Sequence, residues 1–137
     1  MTATHYRPTL ARALILSPDP LVGALLGAMV ELAGLAPVFP VESETPRDTL
    51  RATRTALLLI DCLDPAAQDD TLLGNAMMIG ARTFLVGSER GIAALVEIAK
   101  RYELRTLVLP RDAERLPELF FTEGTGSNRR PPQSTVP

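Results

Sequence analysis

Five short aliphatic runs, each followed by a segment with helical patterning, divide this chain into repeated β-α steps and leave it few ways to fold. The runs lie at residues 13–16, 37–41, 56–60, 83–86 and 106–109, and the helical segments at 21–33, 45–53, 66–79, 92–102 and 113–121. A short unbroken apolar run, without polar alternation, marks a strand covered on both faces. Strands that alternate with helices are joined by right-handed crossovers and form a parallel sheet. The expectation is therefore an α/β domain with a five-stranded, parallel, doubly wound sheet between two helical layers. Apolar residues make up 46% of the chain but aromatics only 4%, with no Trp, so the core has to be aliphatic.

The punctuation between runs supports this division. After Leu16 come Ser17, Pro18, Asp19 and Pro20. Asp19 suits a helix cap, because its carboxylate accepts free amide hydrogens, and Pro20 suits the first helical position. Leu21, Leu25, Met29 and Leu32 follow at helical spacing, and Gly34 is placed to end the helix. Pro37 and Pro40 assign the second run to a sheet edge, where a missing amide hydrogen is tolerated. Asp69 and Asp70 suit the positive pole at the start of the third helix.

A chain of 137 residues has room for one domain, expected over residues 12–121, with an arm at 1–11 and a flexible polar tail at 122–137. In that tail Arg129, Arg130, Pro131 and Pro132 read as a solvated end or as an extended docking peptide. A net charge of −2 and a pI near 5.4 argue against nucleic acid as a partner. Cys62 is the sole cysteine and has no internal disulfide partner, and the polar start lacks a signal pattern, so a cytoplasmic setting is expected. The long apolar stretch 21–35 is broken by Glu31 and is shorter than the roughly 20 residues of a membrane span, so no transmembrane segment is expected.

Chemistry, if any, belongs at the carboxyl ends of the strands, where open α/β sheets place their sites. The third run ends there in a carboxylate, in Leu57-Leu58-Leu59-Ile60-Asp61-Cys62-Leu63-Asp64-Pro65. The other ends carry Ser17-Pro18, Gly87-Ser88 and Leu109-Pro110. The order of elements and these strand ends resemble the receiver domains of bacterial response regulators over residues 12–121. In that resemblance Asp61 takes the place of the phospho-accepting aspartate and Pro65 that of a proline four residues later. Leu14-Ile15-Leu16-Ser17-Pro18-Asp19-Pro20-Leu21-Val22 is similar to the family's first strand and acidic turn. The resemblance implies a flavodoxin-like, receiver-like (βα)5 sandwich.

It also exposes departures. The acidic pair that holds magnesium in receivers falls on Ser17 and Pro18, and a proline offers a metal only its carbonyl. The hydroxyl residue after the fourth strand falls on Gly87, with Ser88 beside it, and the lysine ahead of a proline falls on Leu109. Phosphoryl transfer depends on positioning and on neutralising the charge of the transferred oxygens, so these losses together remove its machinery. The chain is thus expected to be a non-enzymatic, phosphorylation-independent pseudo-receiver, with Asp61 as a degenerate acceptor position, no catalytic residue, no cofactor and no metal. Asp61 would then cap a turn at the mouth of the sheet, or accept a hydrogen bond from Ser17 or Ser88. The expected partners are proteins, docking on the 92–121 face, with Leu116, Leu119, Phe120 and Phe121 adding apolar surface. The role is that of a regulatory adaptor or of a small accessory subunit, including one docked peripherally to a membrane complex.

Other readings compete. A true phospho-acceptor would use Asp61 with Asp19 and Asp64 as unorthodox metal ligands. Gly87-Ser88-Glu89-Arg90-Gly91 lies at a helix start, as anion-binding loops do, but matches neither glycine-rich nucleotide signature. Cys62 lacks the neighbouring positive charge that activates a thiol, and His5, the sole histidine, sits in the polar arm.

Overall fold

A computed structural model describes residues 11–40, 44–52, 54–109 and 111–112. Most of the arm, the last expected helix at 113–121 and the tail lie outside the described residues. The strands are β1 (Arg12–Leu16), β2 (Ala36–Val38), β3 (Leu57–Asp61), β4 (Arg82–Gly87) and β5 (Arg105–Val108). They form one parallel sheet in the order β2-β1-β3-β4-β5. β2 is at an edge, as its prolines require. The chain runs outward from β1 to β2, then returns past β1 to β3, so strand order reverses between β1 and β3. That reversal opens a crevice at their carboxyl ends.

Five consecutive buried residues, Leu57 to Asp61, make β3 the centre of the molecule. Alternation of side chains divides the apolar set between the two faces. Leu14, Leu16, Leu58, Ile60 and Leu85 pack on one side with Leu50, Leu72, Leu73 and Leu95. Ala13, Ile15, Leu59, Phe84 and Val86 pack on the other with Leu26 and Val30.

The helices are α1 (Pro20–Leu32), α2 (Pro46–Ala52), α3 (Asp70–Met78), α4 (Glu89–Ala93) and α5 (Val96–Arg101), with a 3-10 turn at Pro65–Gln68. Asp19 caps α1 through the Leu21 N–H at 2.9 Å, with Pro20 at the first position. Two expected helices are divided. The 66–79 segment becomes the 3-10 turn and α3, each with its own aspartate cap, Asp64 and Asp69. The 92–102 segment starts earlier, because the Ser88 hydroxyl accepts the Gly91 N–H at 3.0 Å. It then breaks at Ala94–Leu95, where the Leu95 N–H donates to Ile92 O at 2.9 Å, a tightened turn that places Leu95 in the core. Four exits from helices use positive φ, at Gly34, Arg54, Gly80 and Glu103. Gly34 and Gly80 adopt it without a Cβ penalty, whereas Arg54 and Glu103 carry that strain.

α1 corrects the sequence reading. Its inner face consists of Gly23, Leu26, Gly27 and Val30, while Leu21, Leu25 and Leu32 face outward and only Met29 of the expected stripe is partly packed. Glu31 is the helix's only charged residue, so apolar periodicity alone could not choose a face. The two glycines chose it. A Cβ at Gly27 would lie 3.1 Å from the Phe39 ring, so the notch lets that ring rest on the helix. Leu26→Ala is accordingly expected to lower stability by about 2–5 kcal/mol. Leu21→Ala, at a side chain 80% exposed, should stay within about 0.5 kcal/mol. Urea unfolding of the two variants checks the assignment.

Candidate functional site

At the carboxyl ends of β3 and β4 lies a cavity of about 220 Å³ lined by Asp19, Asp61, Cys62, Gly87, Ser88 and Leu109, among others. Asp61, the last residue of β3, is only 5% exposed. A buried carboxylate needs hydrogen-bond donors, and both oxygens have one. Oδ2 accepts the Ser17 hydroxyl at 2.7 Å and Oδ1 accepts the Leu63 N–H at 2.9 Å. The two sequence readings of Asp61 thus coexist: it caps the turn after β3 and ties that turn to the end of β1. Ser17 is the hydroxyl partner; Ser88 uses its oxygen to cap α4.

Among the described residues Asp61 forms no ion pair, and no group of three or more His, Cys, Asp or Glu is arranged to hold a metal. Asp19 lines the cavity, yet its carboxylate is engaged in capping α1. Asp64 caps the 3-10 turn through the Ala66 N–H at 2.9 Å. It lines a neighbouring cavity of about 410 Å³ with Asp19, Pro20 and Phe39, away from Asp61.

Cys62 explains the glycine that ends β4. Its N–H donates to Val86 O at 2.8 Å, which fixes its backbone against β4. Its Sγ then occupies the space that a side chain at Gly87 would need, where an added Cβ would collide with it. A Cβ at Gly91 would come within 2.6 Å of the same sulfur. Sequence reasoning treated Cys62, Gly87 and Gly91 separately; no spacing rule links one cysteine to two distant glycines. Burial first, and the Asp61 charge second, push the thiol above its ordinary value, against a smaller opposing effect from the Ser88 backbone. The result is a protonated packing group.

The sequence also gave no signal for Asp112. It is buried and accepts the Val108 N–H at 2.9 Å, with Arg111 Nε 3.6 Å from its other oxygen. It thereby closes the turn after β5 beside Leu109, whose own N–H donates to Gly87 O at 2.8 Å.

Neither a protein-family model nor a curated protein matches this sequence. Solved structures do. The chain is similar to the chemotaxis response regulator CheY4 of Vibrio cholerae, with a TM-score of 0.67 and 13% identity over 84% of this chain and 99% of that one. It is also similar to a CheY-like protein, tadZ, from Pseudomonas aeruginosa PAO1, at 0.63 and 18% over 82% and 98%. A protein from Burkholderia pseudomallei K96243 described as pilus assembly-related matches at 0.62 and 20% over 93% and 99%. At these identities the likeness establishes the fold: the chain has the receiver-domain, flavodoxin-like fold of CheY-like response regulators.

Three outcomes follow from the Cys62 packing and its raised thiol value. Gly87→Thr alone should cost about 1–3 kcal/mol by overpacking, and Cys62→Ala should relieve most of it. A double-mutant cycle should then show coupling of at least about 1 kcal/mol. The folded thiol should also react with iodoacetamide more slowly than the denatured chain near pH 8.5, about the ordinary thiol value. Because the folded value is the higher one, the thiol's contribution to stability is complete below the unfolded value and is lost as pH rises through the folded value. Replacing Cys62 with Ala should flatten that alkaline decline in a pH series of melting curves.

Proposed function

We propose that this chain is a pseudo-receiver: a non-enzymatic, phosphorylation-independent protein-interaction module that keeps the receiver fold and has lost its switch. The observation that carries the reading is the state of Asp61. Both its oxygens are committed to neutral donors within the protein, and the places that receivers give to a metal-binding acid, a hydroxyl and a lysine hold Ser17 with Pro18, Gly87 and Leu109. A phosphoryl group added there would bring its charge into a cavity with no described cation to balance it. The Burkholderia neighbour's description favours the accessory-subunit form of this role, in which the module fills a place in a larger assembly.

The expected docking face, residues 92–121, is described only in part. Within its described part Val96 is the one large hydrophobic residue exposed, and 113–121 lies outside the described residues. α1 also presents Leu21, Leu25 and Leu32 along one side, spaced as a helix–helix seam requires. We propose it as a candidate partner surface beside the 92–121 face.

A second reading, a phospho-acceptor at Asp61, has one observation in its favour: the carboxylate ends the central strand beside an open cavity. Incubation with acetyl phosphate and magnesium, followed by mass spectrometry of wild type and Asp61→Asn, separates the two. The pseudo-receiver reading expects no added phosphate on either protein. Stoichiometric modification of the wild type that Asp61→Asn abolishes would replace it with the phospho-acceptor reading.

A further inference from the structure

α1 lies on the sheet through Gly23, Leu26, Gly27 and Val30, and the side turned away from the sheet is just as regular. Leu21, Leu25, Ala28 and Leu32 are all exposed there, Leu21 by 80% and Leu32 by 71%. Their steps of four, three and four residues are those of a seam between paired helices. At about 100° per residue, the centre of this stripe lies about 180° from the centre of the buried one. An element laid on the sheet beside α1 meets its flank, where Val22, Met29 and Ala33 are partly packed. The outer stripe points out of that layer.

Shape and charge both say what fits it. The stripe has the same spacing in either direction: reversal about the level between Leu26 and Gly27 exchanges Leu21 with Leu32 and Leu25 with Ala28. In an antiparallel pair of α1 helices, each Leu25 therefore faces Ala28 of the other copy, a large side chain against a small one, and leucines meet at both ends of the seam. Glu31 is the helix's only charged residue. A parallel pair would set the two Glu31 carboxylates side by side, whereas an antiparallel pair separates them by about 13 Å along the axis, beyond the usual screening length. The helix dipoles then oppose each other favourably as well. A strongly charged partner would find no complementary charge on this face.

We propose that the outer stripe of α1 is an interface for a second copy of this chain, packed antiparallel about a two-fold axis at the level between Leu26 and Gly27. Each contact in such a pair is made twice, because the same patch serves both copies. The 13 residues of α1 span about 20 Å, so the seam belongs with the small, reversible interfaces of under about 1,200 Å². The inference rests on the reading of α1 as a partner surface and identifies the partner; Asp61 takes no part in it.

Sedimentation of the full chain from about 1 μM to about 1 mM, with no phosphoryl donor present, tests it. The mass should rise from 14.8 kDa toward twice that value. Ala28→Lys puts a charged stem where Leu25 of the second copy packs and should raise the dissociation constant at least about tenfold. Leu21→Glu combined with Leu32→Glu should abolish association, since like charges then face each other at both ends of the antiparallel seam. Leu21→Glu combined with Leu32→Lys should recover it in a salt-dependent way, since opposite charges then face each other. Urea midpoints at about 1 μM, where the copies are apart, should match wild type for all three variants. A single-chain mass at every concentration would overturn the second copy, leaving α1 open to a different protein and the pseudo-receiver reading intact. Association indifferent to Ala28→Lys, or equal dissociation of the two double variants, would overturn it too. Lowered urea midpoints would assign the stripe to a contact within one chain and overturn it likewise. Acetyl-phosphate labelling of Asp61 would remove the pseudo-receiver reading without touching this result.

Discussion

β3 has no solvent-facing side, and the rest of the molecule is arranged around that constraint. Leu57 to Ile60 feed alternately into the two cores, so both helical layers are registered on one strand. A slip of one residue would exchange the two sets of side chains and spoil both cores together. The same constraint fixes Asp61. As the continuation of a fully buried strand it cannot turn to water, so its charge has to be met where the backbone leaves it. Ser17 arrives because β1 is the neighbouring strand in register, with Leu16 opposite Ile60. The site geometry is thus a consequence of sheet order and strand burial.

The thiol beside it converts an apparent loss of chemistry into a packing relation. Gly87 could be read as a hydroxyl residue that has disappeared, leaving a gap. The gap is filled by Cys62 Sγ, and Gly91 on α4 is small against the same atom. The cysteine, the end of β4 and the start of α4 therefore form one contact, held by the Cys62 N–H on Val86 O and by the Ser88 cap. Interiors are too densely packed for one member of such a contact to change without the others. On the pseudo-receiver reading, restoring a hydroxyl at Gly87 would require remodelling across two strands and a helix.

Strand number, direction and the edge place of β2 were legible because they rest on local signals: unbroken apolar runs, prolines and turn residues. The Asp19 cap was legible for the same reason. Where the reading failed, the deciding force was not local. α1 is apolar on nearly every side, so its inner face was set by the ring of Phe39 and the glycines beneath it rather than by periodicity. The break at Ala94–Leu95 follows from burial of Leu95 against residues distant in sequence. Asp61 could be located from its strand, and Ser17 was one of two partners considered; only the parallel register of β1 on β3 chose between them. Arg54 and Glu103 at positive φ had no signature, since neither residue type advertises a left-handed turn.

The way charges are held at the carboxyl end of the sheet bears on what that end can do. At the carboxyl end the acids are used within the fold: Asp19, Asp64 and Asp69 cap helical turns, Asp61 bonds Ser17 and Leu63, and Asp112 closes the turn after β5. Each such bond lowers the charge's availability to an outside ligand and stiffens the turn that carries it. Recognition by this fold, with its transfer chemistry lost as proposed here, is therefore better sought on the exposed outer side of α1 than in the crevice around Asp61.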